Sequence, residues 1–211
     1  MLGHSSDQKN HVVYQEMTEA DVVAKLRECA KISTVSKKNC VGQTFICRLL
    51  YCVDADTLQI SRYRDGFYET QTLRVARIDS GEVHHKQSEY IPDEKEAAYG
   101  NKAKLAVLHW FLPDHFQDNI DQAHDWRTQK SIFDKYPVLL RVECPTTCVE
   151  NGKRIPLKLD PYSRLISEIK RYSPLSADDP LSDETLSDML LRRKLANPYT
   201  GGKKNKNFQD A

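Results

Sequence analysis

The chain has no long apolar run: nowhere in its 211 residues does a hydrophobic stretch approach the roughly 18 residues that a membrane-spanning helix needs. A membrane protein is therefore not expected. It also lacks a surplus of charge of either sign, since 31 Lys and Arg stand against 30 Asp and Glu, a formal net charge of +1. That balance neither proposes nor excludes a polyanionic partner. The opening MLGHSSDQKNH has neither the basic start nor the apolar core of a secretory leader, so an intracellular protein, cytoplasmic or nuclear, is expected. The six cysteines, Cys29, Cys40, Cys47, Cys52, Cys144 and Cys148, show no paired metal-ligand spacing. Cys144 and Cys148 flank Pro-Thr-Thr and could supply half a zinc site, but no second pair of ligands stands at a suitable distance. Buried free thiols are the expectation, as suits a reducing compartment. There is no internal repeat or low-complexity tract.

What is present reads as one soluble globular domain with extensions: 39% of the residues are hydrophobic and 29% charged. Residues 1–42 form an amino-terminal extension, in which Thr18-Glu-Ala-Asp21 starts an accessory helix with Val22, Val23, Leu26, Cys29 and Ala30 on one side. Thr44 to Val53 is rich in β-formers, Asp54-Ala-Asp56 turns the chain into a second strand from Thr57 to Tyr63, and Asp65-Gly66 turns it into a third that runs through Ile78. A helix is predicted from Asp93 to Leu112, with Ala97, Leu105, Leu108 and Phe111 facing the core. Residues 113–135 read as a polar insertion holding a short helix. Val138 to Cys144 is a further strand, Asn151-Gly152 a hairpin turn, and Ile155 to Tyr172 an extended run containing Pro161. A last helix spans Glu184 to Leu195, with Leu186, Met189, Leu190 and Leu195 inward, and residues 201–211 form a basic tail beyond the run Arg192-Arg193-Lys194. Three strands, a helix, two strands and a helix give the expected fold, an α+β domain over 43–200 built on a five-stranded Greek-key barrel of the OB type with packed helices.

Acidic residues cluster where strands end. Asp54 and Asp56 lie in a strand-to-strand turn, and Asp79 and Glu82 directly follow the third strand. Such places leave backbone oxygens free, and calcium and magnesium prefer oxygen ligands. Taken alone each motif is weak, because Asp in a tight turn usually bonds its own backbone. Arg74 and Arg164, alone, are ordinary strand residues.

Together the strings VDADTLQI (53–60), LRVARIDSGE (73–82) and LDPYSRLISEI (159–169) resemble the three motifs of the staphylococcal nuclease family, in the same order and with the same elements between them. The resemblance covers residues 43 to 200, with an enlarged segment after the central helix. It implies a hydrolase that cleaves phosphodiester bonds of DNA or RNA and leaves 5′-hydroxyl and 3′-phosphate ends. It implies that Asp56, Asp79 and the backbone carbonyl of Ser80 are calcium ligands, with Asp54 in the outer shell and magnesium the less suitable ion. It further implies that Glu82 orients or deprotonates the attacking water, that Arg74 and Arg164 bind the phosphate and gather its transition-state charge, and that Tyr162 stands near the substrate phosphate. These residue types suit such chemistry, because a phosphodiester is an anion whose transition state carries more charge, and a guanidinium can bond two phosphate oxygens while staying charged.

Three positions depart from the family pattern. Ala55 stands where glycine is usual, Gly81 where proline is usual, and Pro161 where the best-known member has lysine. The expectations are a more crowded turn at Asp54, a less rigid loop before Glu82 and a lost terminal-phosphate contact. His84 and His85 read as solvated loop residues, and Tyr14, Tyr63, Tyr68, Tyr90, Trp110 and Trp126 mostly as packing groups. The competing reading is a non-catalytic module that binds nucleic acid or protein, like the degenerate nuclease-like repeats of Tudor-containing co-activators. Those repeats lose active-site acids and arginines, whereas all five key positions are present here.

Overall fold

The structure, a computed structural model, describes residues 17–28, 40–83, 91–116, 120–150, 153–156, 160, 162–172 and 183–199. Its elements are α1 (Glu19–Glu28), β1 (Thr44–Asp54), β2 (Thr57–Arg64), β3 (Phe67–Val75), β4 (Ile78–Asp79), α2 (Glu94–Phe111), α3 (Ile120–His124), α4 (Trp126–Lys135), β5 (Leu139–Glu143), β6 (Thr147–Glu150), β7 (Lys153–Pro156), β8 (Leu165–Arg171), α5 (Leu186–Arg192) and β9 (Asn197–Pro198). The fold is mixed α+β, as expected. Tyr14, Cys29, Ala30, His84, His85, Tyr90, Asn151, Gly152, Pro161, the side chain of Cys148 and the tail 201–211 lie outside the described residues.

The main sheet is a five-stranded ring. β1 pairs antiparallel with β2 and β2 with β3, β3 runs parallel to β8, and β8 and β1 each pair antiparallel with β5. The pairing therefore closes on itself. Register is fixed by the two-residue turn at Asp65 and Gly66, both at positive φ, which opposes Arg64 to Phe67 and carries through to Thr57 opposite Arg74. The core gathers Leu49, Leu58, Ile60, Leu73, Leu140 and Ile169 with Val107, Leu108 and Phe111 of α2 and Leu186, Met189 and Leu190 of α5. Each such side chain, fully buried, contributes about 1.5–3 kcal/mol over leaving it in water.

The accessory helix begins at Thr18, whose hydroxyl accepts from the Asp21 N–H (3.2 Å) while the Asp21 carboxylate accepts from the Thr18 N–H (3.0 Å). This is the reciprocal cap that the sequence suggests. Val23 and Leu26 pack on Ile46 and Leu139. Arg48 of β1, almost wholly buried, donates to the carbonyls of Leu26 and Arg27 at the end of α1 and to those of Phe133 and Asp134 at the end of α4. One guanidinium thus satisfies the orphan carbonyls of two helices, where a cation also suits the helix dipole.

Three expectations change. The third strand stops at Val75, not Ile78, because Arg77 adopts a left-handed φ of 64° that breaks the ladder; Ile78 and Asp79 pair instead with Pro198 and Asn197. The extended run from Ile155 divides into β7 and β8, with Ser163 at φ 60° in the turn between. The insertion holds two helices, since Asp125 accepts from the N–H groups of Arg127 and Thr128 and starts α4 afresh after α3.

Candidate active site

Asp54, Asp56, Asp79 and Ser80 are all buried where β1 turns into β2 and where β4 ends. The two segments meet: the Ser80 N–H donates to Asp56 Oδ2 at 3.0 Å. Arg74 of β3 stands opposite Thr57 in the register, which places its guanidinium between them. Its Nη1 pairs with Asp56 and its Nη2 with Asp79 Oδ1 at 3.0 Å, while Nη2 also donates to the Ile78 carbonyl at 3.3 Å. Burial opposes the charge on Arg74, but Asp56, Asp79 and Glu82 outweigh it and hold the guanidinium above the ordinary arginine range.

Arg164 reaches the same cluster from β8's approach. The Asp160 carboxylate accepts from the N–H groups of Tyr162 (3.0 Å) and Arg164 (2.7 Å) and from Arg164 Nε (2.5 Å), so one acid closes the turn and aims the side chain it precedes. Arg164 Nη1 then donates to Thr57 Oγ1 at 3.1 Å, and Thr57 donates to Asp56 Oδ1 at 3.0 Å. Tyr162 is exposed, its ring 5.1 Å from the guanidinium carbon of Arg164.

Glu82 is partly buried and within electrostatic reach of Arg74. The loop carrying it is not loosened by Gly81. A Cβ at Gly81 would lie 2.8 Å from the Glu96 carbonyl oxygen and 2.9 Å from the Gly100 nitrogen, and one at Gly100 would lie 2.6 Å and 2.8 Å from the carbonyl oxygens of Gly81 and Glu82. Backbone rests on backbone, and glycine at both positions is what allows it. Asp54 faces the buried Lys104 of α2, whose Nζ donates to the Val53 carbonyl at 2.7 Å. Burial lowers the lysine's affinity for its proton, with Asp54 and Cys52 opposing.

Among the described residues no group of three or more His, Cys, Asp and Glu side chains gathers at metal-ligand spacing. The set implied for calcium is smaller, two carboxylates and a carbonyl, and the surroundings fit such an ion. Asp54, Asp56, Asp79, Glu82 and Asp160 formally bring five negative charges against the three positive charges of Arg74, Lys104 and Arg164. The donors are all oxygens, as hard cations require, and the buried hydroxyl of Ser80 has no hydrogen-bond partner among the described residues.

The structure thus brings Asp56, Asp79, Ser80 and Arg74 into contact, joins Arg164 to them through Thr57, sets Glu82 and Asp54 alongside, and leaves Tyr162 at the rim. Compared with known proteins, the chain matches no family model and no curated sequence. Sequence reasoning passed over Thr57, Asp160, Gly100 and Lys104. Asp160 had a readable signal, since Asp-Pro-Tyr-Ser is turn chemistry; Gly100 and Lys104, inside a helix, had none. Cys47, Cys52 and Cys144 are buried free thiols, as expected, and Cys40 is buried with Arg62 donating to its sulfur.

Proposed function

We propose that this chain is a calcium-dependent nuclease of the staphylococcal nuclease kind, built on an OB-type Greek-key barrel and hydrolysing phosphodiester bonds of DNA or RNA. The observation that carries the reading is the convergence of Asp56 and Asp79, from two different strand ends, on Arg74, with Arg164 arriving at Asp56 through Thr57. The strand order β1-β2-β3-β8-β5, closing back on β1, supports the finer fold assignment.

In this reading Asp56, Asp79 and the Ser80 carbonyl hold the cation, which when bound polarises the phosphoryl oxygens and lowers the charge that the attacking water must approach. Glu82 takes the proton from that water. Arg74 and Arg164 bond the non-bridging oxygens, and their planar donors match the charge that grows there as water attacks. Both are tied up with carboxylates in this structure, Arg74 with Asp56 and Asp79, Arg164 with Asp160. In this reading Asp56 and Asp79 would be the residues to hold the cation and the Arg74 and Arg164 guanidiniums those to meet a phosphate.

The test is cleavage of single-stranded DNA and RNA across calcium and magnesium titrations at fixed ionic strength, with a chelator arm. Calcium-activated hydrolysis is expected, with magnesium supporting little turnover, because two carboxylates and a carbonyl on turns form an adaptable shell and magnesium demands near-octahedral geometry. Robust activity with magnesium alone sinks the calcium assignment. Binding without cleavage under every condition replaces the enzyme with a nucleic-acid binding module.

A further inference from the structure

The two residues just ahead of Asp54 make main-chain hydrogen bonds to helix side chains, where a strand partner would ordinarily stand. β1 pairs with β5 only from Thr44 to Arg48, and the last contact on that side is Leu49 N–H to the Val138 carbonyl, 3.0 Å. Further on, Cys52 N–H donates to Gln129 Oε1 at 2.7 Å, and Gln129 Nε2 donates back to the Cys52 carbonyl at 3.1 Å and to the Ala123 carbonyl at 2.6 Å. The Val53 carbonyl accepts from Lys104 Nζ at 2.7 Å. On its other side β1 pairs with β2 irregularly, with register shifts between Leu49 and Tyr51 and between Cys52 and Asp54. The ladder with β2 thus reaches the Asp54–Asp56 turn through two irregularities, and on the side of β1 away from β2 the backbone just ahead of the turn is bonded by helix side chains.

The amide of Gln129 imitates a strand: one acceptor and one donor meet the donor and acceptor of a single residue. Its second donor ties α4 to the end of α3, so the insertion is bonded to itself at the same atom group that grips β1. Gln129 and Lys104 are both buried, at 0% and 2% exposure. Burying an amide or an ammonium is unfavourable unless its hydrogen bonds are met, so neither side chain can drift from these partners cheaply.

We propose that Gln129, together with Lys104, helps fix where the Asp54–Asp56 turn stands as a positioning residue, and that α4, tied to α3, is the strut that carries it. What the turn then does rests on the nuclease reading above; its placement does not. Gln129 gives the clean test because it is neutral, whereas removing Lys104 also changes the attraction for a cation directly.

The experiment compares Gln129→Leu with Phe133→Leu, a change in the buried face of α4 that leaves the Cys52 bonds intact. Both are studied as full-length protein, under conditions of equal loss in thermal midpoint. Amide hydrogen exchange over residues 52–57 should quicken in Gln129→Leu on the order of tenfold beyond Phe133→Leu, the loss of a buried hydrogen bond being worth about that factor. Calcium binding by calorimetry should weaken in the first variant and not in the second. If Gln129→Leu fails to fold, Gln129→Glu keeps the acceptor for Cys52 N–H and loses both donors. Equal exchange in the two variants overturns the proposal. A parent protein that neither binds calcium nor cleaves nucleic acid overturns the nuclease reading instead, and the exchange comparison still decides the positioning role.

Discussion

The Asp54–Asp56 turn and the Asp79–Glu82 loop bring acids to one guanidinium, yet they are held by opposite means. The turn hangs from polar side chains that cross gaps, Gln129 to Cys52 and Lys104 to Val53. The loop lies against α2 with no side chain between, Gly81 on Gly100. Behind it Arg77 pairs with Glu168 and Asp188 and bonds the hydroxyls of Thr185 and Ser187, locking the start of the loop to α5. A tether is cut by deleting atoms, whereas a close contact is broken by adding them. One contact from each support lies on α2, where Gly100 and Lys104 stand four residues apart on one face, while Gln129 of α4 supplies the other hold on the turn.

The largest effect should come from removing an acid that both regions depend on. Asp79→Ala is expected to abolish cleavage while the chain stays folded, seen as an unchanged or raised thermal midpoint in chelator. Retained hydrolysis would remove Asp79 from the metal site and with it the idea that the two regions serve one centre.

Next in size is the joint between them. Arg74 touches both acids through separate nitrogens, and a lysine there offers one compact charge that cannot span both. Arg74→Lys should lower turnover by roughly a hundredfold, as should Arg164→Lys, since a lost charge contact in the transition state typically costs about that factor. Wild-type rates in the lysine variants would mean that charge alone suffices and that the fork between the regions is incidental.

Gly100→Ala separates the loop from the turn. Alanine is the better helix former by about 1 kcal/mol, so α2 itself should gain, but the added Cβ would press on the Gly81 and Glu82 carbonyls. Turnover should fall about tenfold or more through misplacement of Glu82, with exchange over residues 52–57 unaltered. A rate equal to the parent's shows that the loop gives way without consequence for the base.

Much of this frame is written in local pattern. Asp65-Gly66 fixes a hairpin because both positions tolerate positive φ, the alternation of Leu58 and Ile60 marks a strand face, and Leu186, Met189 and Leu190 mark a helix stripe. The acids and arginines are visible as strings at strand ends. The supports are not, because they depend on meetings between distant segments: Gln129 lies 77 positions from Cys52, and nothing near either announces the other. Arg77 shows the same limit from the opposite side. A local reading continues the strand through it, whereas its left-handed backbone is stabilised by partners 91 to 111 positions away. Gly81 reads as slack because a lone glycine in a loop carries no sign of what rests on it.

The smallest expected effect lies at the far end of β1, which uses neither tether nor close contact and so marks where the comparison ends. Cys47 and Cys144 are buried near Arg62, which bonds the Cys40 sulfur at 2.9 Å. Burial pushes the Cys144 thiol up from 9.0 to about 12, with Cys40 adding to the rise and Arg62 opposing it; burial raises Cys47 further still. The folded chain thus holds these protons more tightly than the unfolded one. Their contribution to stability is complete below about pH 9 and is lost as pH climbs through about 12. The thermal midpoint should therefore decline above pH 9 less steeply in Cys144→Ala than in the parent, whatever the packing cost of the substitution at neutral pH. Exchange over residues 52–57 should be the same in both proteins at each pH. An alkaline decline of equal slope would mean that these thiols titrate alike folded and unfolded. A change in exchange at the turn would mean that the thiol end and the acidic end of β1 are coupled, and that the supports described for the turn do not act alone.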